Sequence, residues 1–366
     1  MTGKIRVLVV DDSAFMRKLI TKMIESDPHC EVVKTAKDGI EALKAIEELK
    51  PDVVTLDIEM PEIDGLTCIA YIMETFPTPV VMVTGFSEFL GDETIKALEY
   101  GAVGLVRKPG GPISRNIETI RQELLYQIKL AHQVDVTKFR PVPIRETKAE
   151  GEKPIPKTTD RVFAIASSSG GPRALSQVIP KLPPDLPAGV VVAQHMPAEF
   201  VFSLAERLNK ESALEVKVAE DGEPIKQGKV LIAPGGCNCL VESRGEAGGA
   251  IKLVPVQEKV KLPLPSADKL MISLAPVYGA NAVGIVLTGM GNDGTEGLRA
   301  IKKHGGRTMA EDKSTCLVYG MPREAVRAGV VDQVVPLDKI ADEMIKSSQR
   351  IKINHEDIRI PTAVLK

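Results

Sequence analysis

Tryptophan is absent from this sequence and aromatic residues make up only 4% of it, so its cores must be filled by aliphatic side chains. Cysteine is scarce: Cys30, Cys68, Cys237, Cys239 and Cys316 are odd in number and scattered, mostly within apolar segments. That pattern suits reduced thiols in a cytoplasmic protein better than a disulfide framework. Cys237 and Cys239 form one C-x-C pair with no second pair to complete a zinc site. There is no dense basic block and the formal net charge is -2, which argues against nucleic acid as the main partner. No apolar stretch approaches bilayer length, so direct membrane insertion is not expected. The opening MTGKIRVLVVDD is not a signal peptide, because its short apolar run ends in two aspartates.

What is present is a regular beat. The 366 residues are too many for one ordinary core and predict two domains. Residues 1–130 alternate β-branched runs (RVLVV, EVVKTA, DVVTL, PVVMVT, GLV) with helical spacing, as in Phe15, Leu19 and Met23, or Ile40, Leu43, Ile46 and Leu49. Five strands alternating with five helices read as a doubly wound parallel sheet. Residues 131–160 contain FRPVPIRETKAEGEKPIPKTTD, rich in proline and charge, and are expected to be a flexible linker. Residues 161–348 resume the beat with RVFAIA, GVVVAQ, KVLIA, AVGIVL and VVDQVV, and read as a second, mainly parallel α/β domain. Gly-rich turns in VLIAPGGCNCLVESRGEAGGAIKLVPV predict an antiparallel hairpin excursion from it, and 349–366 read as a polar tail.

Open parallel sheets carry their chemistry at the carboxyl ends of their strands. In the first half those ends hold Asp11 and Asp12, Asp57, Thr84, and Lys108 before a proline. Three crowded carboxylates call for a cation, and hard oxygen ligands suit Mg²⁺. A lysine and a hydroxyl beside them make a phosphoryl site with Asp57 as nucleophile. Taken singly, each residue would pass for a helix cap or an ordinary loop residue.

Residues 4 to 125, through VVDDS, LDIEMPEIDG, VTG and KP, resemble the receiver domain of two-component response regulators. The resemblance implies a flavodoxin-like fold and transfer of phosphate from a histidine kinase to Asp57. It also implies that Asp12, Asp57 and the carbonyl of Glu59 hold Mg²⁺, with Asp11 in support and Thr84 and Lys108 on the phosphoryl oxygens. Leu105 stands where many receivers have an aromatic residue.

The second half poses a choice among three hydroxyls, in FAIASSSGGPRAL. A serine nucleophile needs a base. Of the five histidines, only His195 stands directly at the end of an apolar strand, in VVVAQHMP, and Asp293 in LTGMGNDG is the candidate carboxylate partner. The alternative for each is structural: a capping serine, a turn histidine, an N-cap aspartate. A P-loop is excluded because no lysine follows the glycines before Lys181, and TGMGNDG lacks the acidic residue that a dinucleotide site requires. The order Ser, His, Asp differs from that of α/β-hydrolases, and there is no G-x-S-x-G elbow. Spacing alone does not choose among Ser167, Ser168 and Ser169.

Residues 161 to 348, through AIASSSGGP, AQHMP, IAPGG, PSAD, LTGMGNDG and VYGMPREA, resemble the catalytic domain of the chemotaxis protein-glutamate methylesterases. The resemblance implies that Ser168 is the nucleophile, His195 the base and Asp293 its partner, with the N–H of Met290 as oxyanion donor. The implied substrates are methylated cytoplasmic helices of chemoreceptors, with glutamine deamidation as a side activity, no cofactor for the ester chemistry, and activation by a chemotaxis kinase. Asn238 stands where the family commonly has histidine, a departure expected to bear on substrate-surface or interdomain contacts. Two rival readings keep the fold: a catalytically idle, phosphorylation-controlled docking module, and a hydrolase of small esters or amides.

Overall fold

The computed structural model describes residues 3–85, 90–108, 117–136, 157, 159–245, 248–256 and 264–349. Most of the expected linker and almost all of the tail lie outside the described residues. The parts of the linker segment that are described are held down. Val134 and Val136 are buried, and the N–H of Gln227 donates to the carbonyl of Lys157 at 2.9 Å.

The first half contains β1 (Ile5–Val10), α1 (Ala14–Glu25), β2 (Cys30–Ala36), α2 (Gly39–Leu49), β3 (Val53–Leu56), α3 (Gly65–Thr75), β4 (Val80–Thr84), α4 (Leu90–Glu99), β5 (Gly104–Arg107) and α5 (Ile117–Ala131). The sheet is parallel in the order β2-β1-β3-β4-β5, the flavodoxin-like order. Its central strands β3 and β4 are buried throughout, as expected where helices cover both faces.

Two periodicity expectations need correcting. Phe15 is 61% exposed and Ile40 is 40% exposed, whereas the buried faces are Ile20, Met23 and Ile24 on α1, and Gly39, Ala42, Ala45 and Ile46 on α2. Both misplaced residues sit in the first turn of their helix, just beyond the end of the preceding strand. Small residues elsewhere on α2 bring it close to the sheet. Leu105 is buried in β5, paired in register with Met82 of β4.

The second half contains β6 (Val162–Ser167), α6 (Gly171–Val178), β7 (Gly189–Gln194), α7 (Ala198–Glu211), β8 (Glu215–Val218), β9 (Lys229–Ile232), β10 (Cys237–Ser243), β11 (Gly249–Pro255) and α8 (Ala267–Tyr278). There follow β12 (Ala282–Val286), α9 (Thr295–Lys303), β13 (Arg307–Glu311), α10 (Met321–Arg327), β14 (Gln333–Val335) and α11 (Leu337–Ser348). Seven parallel strands run β14-β13-β12-β6-β7-β9-β8, and β10 and β11 form the expected antiparallel hairpin apart from them. Strand order reverses at β6, which pairs with β7 on one side and β12 on the other. A crevice outside the carboxyl ends is expected at such a reversal.

The two halves meet through α4, which packs on α6 and α7. Arg207 on α7 makes a two-pronged contact with Glu99 on α4, Nε to Oε1 at 2.9 Å and Nη2 to Oε2 at 2.7 Å. Its Nη1 reaches Asp92 at 3.1 Å, and Ser176 on α6 donates to Glu99 at 2.6 Å. Arg207 and Glu99 are each only 8% exposed. Buried apolar side chains run without a break from the first sheet into one face of the second.

Candidate active site and phosphoacceptor site

In the first half, β1 and β3 are hydrogen-bonded neighbours, so the residues that follow them are brought side by side. Carboxylate oxygens of Asp11, Asp12 and Asp57 all lie within 4.8 Å of one another. Lys108, just past β5, reaches across with Nζ 2.6 Å from Asp57 Oδ2 and 2.7 Å from Asp11 Oδ2. The lysine is set by its own N–H, which donates to the carbonyl of Thr84 at 2.8 Å. Thr84 is fully buried at the end of β4, and its hydroxyl donates to the carbonyl of Gly85 at 3.2 Å. The helix cap is a neighbour. Ser13 caps α1, while Asp11 Oδ1 accepts the N–H of Ser13 at 2.9 Å and keeps its other oxygen turned to the cluster.

Burial pushes the Asp57 carboxyl up to about 6, and the charge of Asp11 adds to this, while Lys108 and the N–H of Ile58 oppose it. Burial would lower the Lys108 ammonium, but Asp57 and Asp11 outweigh it and hold the lysine above its ordinary value. Asp11 Oδ2 is buried, meets Lys108 as an ion pair, and accepts no directed hydrogen bond among the described residues. Three crowded carboxylates with oxygens within 4.8 Å of one another form a hard-oxygen donor set that fits Mg²⁺. Asp12 and Glu59 are exposed and line an open cleft beside it.

In the second half, β6 and β7 pair in register up to Ser167 and Gln194, so Ser168 and His195 are the next residues on adjacent strands. The N–H of His195 donates to the carbonyl of Ser167 at 3.0 Å. The buried Gln194 side chain ties the two turns together. It accepts from Ser167 Oγ at 2.6 Å, and its amide nitrogen donates to the carbonyls of Ser168 at 3.0 Å and His195 at 2.8 Å. This settles one of the three hydroxyls: Ser167 is buried and bonded inward, while Ser168 and Ser169 are both half-buried at the turn. None of the serines caps α6. Its N-cap is Gly170, at φ 77, a left-handed conformation that favours glycine. A Cβ on Gly171 would lie 1.9 Å from Gln194 Oε1, so the glycine pair makes room for the amide clamp.

His195 Nε2 lies 2.8 Å from Asp293 Oδ2. Its Nδ1 is buried and has no hydrogen-bond partner among the described residues. Nδ1 is thus the ring nitrogen not engaged by the carboxylate, and the Ser168 hydroxyl is not hydrogen-bonded to it; in chymotrypsin-type triads Nδ1 is the nitrogen that faces the carboxylate.

Asp293 does not open α9, whose N-cap is Gly294; it sits on the N-terminus of a different helix, α8. Its Oδ2 accepts the N–H of Ala267 at 2.8 Å, and its Oδ1 accepts from Ser266 Oγ at 3.1 Å and from the N–H of Asp268 at 2.9 Å. Burial alone would raise this carboxyl, but the bonds from His195 and from the two N–H groups prevail and hold it below the ordinary range. Asp268 is displaced the other way, raised by burial and by the charge of Asp293 against the N–H groups of Gly297 and Gly294. Two neighbouring acids are thus displaced in opposite directions, the one facing the imidazole downward.

Several supporting residues were not singled out from sequence. Gln194 and Ser266 sit within quoted motifs, AQHMP and PSAD, without an assigned role. Glu311 is the last residue of β13, a strand with only a short apolar run in its RTMAE sequence. Its Oε2 accepts the N–H of Thr288 at 2.8 Å, and the carbonyl of Thr288 in turn accepts the N–H of Ser168 at 3.0 Å. Burial pushes this carboxyl up to about 7 against the pull of the Thr288 N–H and the Arg173 charge. Asn238 requires a correction. It is 3% exposed and accepts the N–H of Ser266 at 3.3 Å, behind the Asp293 carboxylate and not on a substrate or interdomain surface.

Met290 lies in the turn after β12. A Cβ on the preceding Gly289 would come within 2.7 Å of Ser168 Cβ, so this backbone passes directly over the serine.

A parallel five-stranded sheet with an acid–lysine cluster, joined to an α/β domain with a histidine–carboxylate pair at its strand reversal, defines a response regulator with a catalytic output domain. Residues 7–116 match the response regulator receiver domain model and residues 163–344 the CheB methylesterase model. The chain is 43% identical over 354 residues to a protein-glutamate methylesterase/protein-glutamine glutaminase of Pyrococcus horikoshii, covering 96% of both. It is 45% identical over 356 residues to the protein of that name from Symbiobacterium thermophilum, covering 94% of this chain and 97% of the other. The crystal structure of the Thermotoga maritima CheB methylesterase catalytic domain matches at 41% identity and a TM-score of 0.49, over 51% of this chain and 97% of that one. The chain belongs to the protein-glutamate methylesterase/protein-glutamine glutaminase family.

Proposed function

We propose that this protein hydrolyses glutamate methyl esters on chemoreceptors, and deamidates receptor glutamines, with Ser168, His195 and Asp293 as its triad and Asp57 as its phosphorylated switch. The observation that carries the reading is the His195–Asp293 bond of 2.8 Å with the other ring nitrogen buried and unpaired, one strand away from Ser168.

His195 Nδ1 takes the Ser168 proton as Oγ attacks the ester carbonyl. The N–H of Met290, in the turn that passes over Ser168, would donate to the developing oxyanion; one such donor is typically worth about 3 kcal/mol in the transition state. Asp293 holds the ring's orientation and stabilises the imidazolium. The imidazolium then protonates the departing methoxide and methanol leaves. Water, deprotonated by the same nitrogen, attacks the acyl carbonyl, and the imidazolium returns that proton to Ser168 Oγ as the glutamate carboxylate leaves. A glutamine amide passes through a similar tetrahedral state and releases ammonia.

In the receiver, Asp12, Asp57 and the carbonyl of Glu59 would hold Mg²⁺, with Asp11 behind them. The ion, when bound, offsets the charge that accumulates around the incoming phosphoryl group. Asp57 accepts that group from a kinase phosphohistidine, and Lys108 and Thr84 hold its oxygens. Phosphorylation adds about -1.5 to -2 charge at the end of β3. Thr84 lies on the strand that leads into α4, and α4 is the helix gripped by Arg207, so the switch acts through the helices that begin just after Ser168 and His195. The cytoplasmic helices of receptors place the reaction in the cytoplasm; no helix among the described residues is long and apolar enough to cross a membrane.

The test is methanol release from methylated receptor cytoplasmic fragments. Ser168→Ala should abolish it, and Asp57→Asn should keep basal turnover while losing all response to a small phosphodonor. Parent-level turnover by Ser168→Ala would sink the triad, and equal stimulation of Asp57→Asn and parent would sink the switch.

A further inference from the structure

One acid beside the proposed triad has no part in the steps above. Asp268 is the second residue of α8, where an acid ordinarily serves its own helix N-terminus. Its carboxylate points elsewhere. Oδ1 accepts the N–H of Gly294 at 2.9 Å and the N–H of Gly297 at 2.8 Å, both at the start of α9. α9 needs this because its N-cap is a glycine with no side chain to offer. Asp293, the residue before that glycine, is correspondingly free to serve α8. The two helices have exchanged their acids: each caps the start of the other.

The exchange has a chemical result. Asp293 receives His195 Nε2 and the N–H of Ala267 on Oδ2, and Ser266 Oγ and the N–H of Asp268 on Oδ1. A carboxylate offers about four lone-pair sites, so this one is saturated and cannot rotate without breaking a bond. The backbone that carries it is pinned at the next residue, because Gly294 N–H is held by Asp268. We propose that Asp268 is a positioning residue for the esterase reaction, fixing the turn that carries Asp293 so that Oδ2 stays on the base's nitrogen. Ionised groups that bear on Asp268 are Asp293 across the exchange and Glu296 on α9. The inference rests on the Ser168–His195–Asp293 reading.

Full-length protein carrying Asp268→Ala, Asp268→Asn or Asp268→Ser is assayed on methylated receptor fragments, each alone and in an Asp293→Ala background. A 1 Å misplacement of a working group can cost on the order of a hundredfold, so Asp268→Ala should lower kcat roughly ten- to a hundredfold. KM should stay within about threefold, since no ester contact is removed. Asp268→Asn, which keeps a carbonyl acceptor, should restore kcat to within about threefold of the parent. In the Asp293→Ala background, Asp268→Ala should cost less than about twofold more, because residues that act through one another are not additive. The downfield proton resonance of the His195–Asp293 hydrogen bond should be lost or displaced in Asp268→Ala and retained in Asp268→Asn.

Equal losses in both backgrounds, an unchanged kcat in Asp268→Ala, or an undisturbed resonance would each overturn the proposal. Should Asp268→Ala fail to fold, Asp268→Ser and Asp268→Asn carry the same comparison, and failure of asparagine to rescue would count against it. Parent-level turnover by Ser168→Ala would remove the triad reading alone, because the resonance reports the exchange independently of the chemistry.

Discussion

Glu311 shows how much one side chain beneath the active site can govern. It is fully buried, one of its oxygens supports the strap that holds Ser168, and the other has no hydrogen-bond partner among the described residues. Its carboxyl rises from 4.5 to about 7 chiefly through burial. A raised carboxyl favours the folded state while it is protonated. Its contribution is therefore complete below about pH 4.5, falls as pH rises through 7, and is flat above that. The whole swing is on the order of 3 kcal/mol. Glu311→Gln keeps an acceptor for Thr288 and cannot ionise, so melting curves should fall less steeply between pH 5 and 7 than the parent's, with the variant more stable than the parent at pH 8; the slope that Asp57, raised to about 6, contributes should remain. Parallel curves for the two proteins would contradict this. Single residues were unevenly legible in the chain. Asp57, His195 and Lys108 follow directly on apolar strands, and Asp293 lies in a glycine-rich turn, settings where a polar side chain is conspicuous. Glu311 and Gln194 do not, because a buried polar residue that completes another's geometry looks in sequence like any other strand-end residue.

At the scale of elements, the N-terminus of α8 is where capping and chemistry coincide. Ser266 accepts the N–H of Lys269 at 3.3 Å and donates to Asp293 at 3.1 Å, so it is both helix cap and carboxylate partner. Ser266→Ala should cost about 1 kcal/mol of stability as a lost cap. It should also lower esterase kcat by less than Asp293→Asn does, since three other donors to Asp293 remain; thermal melts and methanol release check the two halves of this expectation. Strands were read well where β-branched runs are long. β8 (EVKV) and β13 (RTMAE) were missed, the first because alternating charges disguise a short edge strand, the second because charged residues at both ends leave only a short run between them. The acid exchange between α8 and α9 was not legible at all, because local rules assign each aspartate to its own helix. Only the packing of the two helices shows the swap.

For the whole molecule, the decisive contact is the grip of Arg207 on α4. Both partners are nearly buried, so removing one leaves an uncompensated charge and loosens the halves. Arg207→Ala should raise turnover of the unphosphorylated protein several-fold and shrink the further gain from a phosphodonor, within the roughly 5- to 150-fold range of allosteric couplings. Unchanged basal turnover in that variant would place the control elsewhere. The reaction centre itself answers to a different constraint. Ser168 and His195 each follow the last pair of a six-rung ladder, Val162 with Gly189 through Ser167 with Gln194. Adding or deleting one residue in either strand would turn a side chain to the opposite face and part hydroxyl from imidazole. Natural variants of this enzyme should therefore drift freely in length at the hairpin tip and between the halves, while those twelve ladder positions admit exchange of side chains but no change in number.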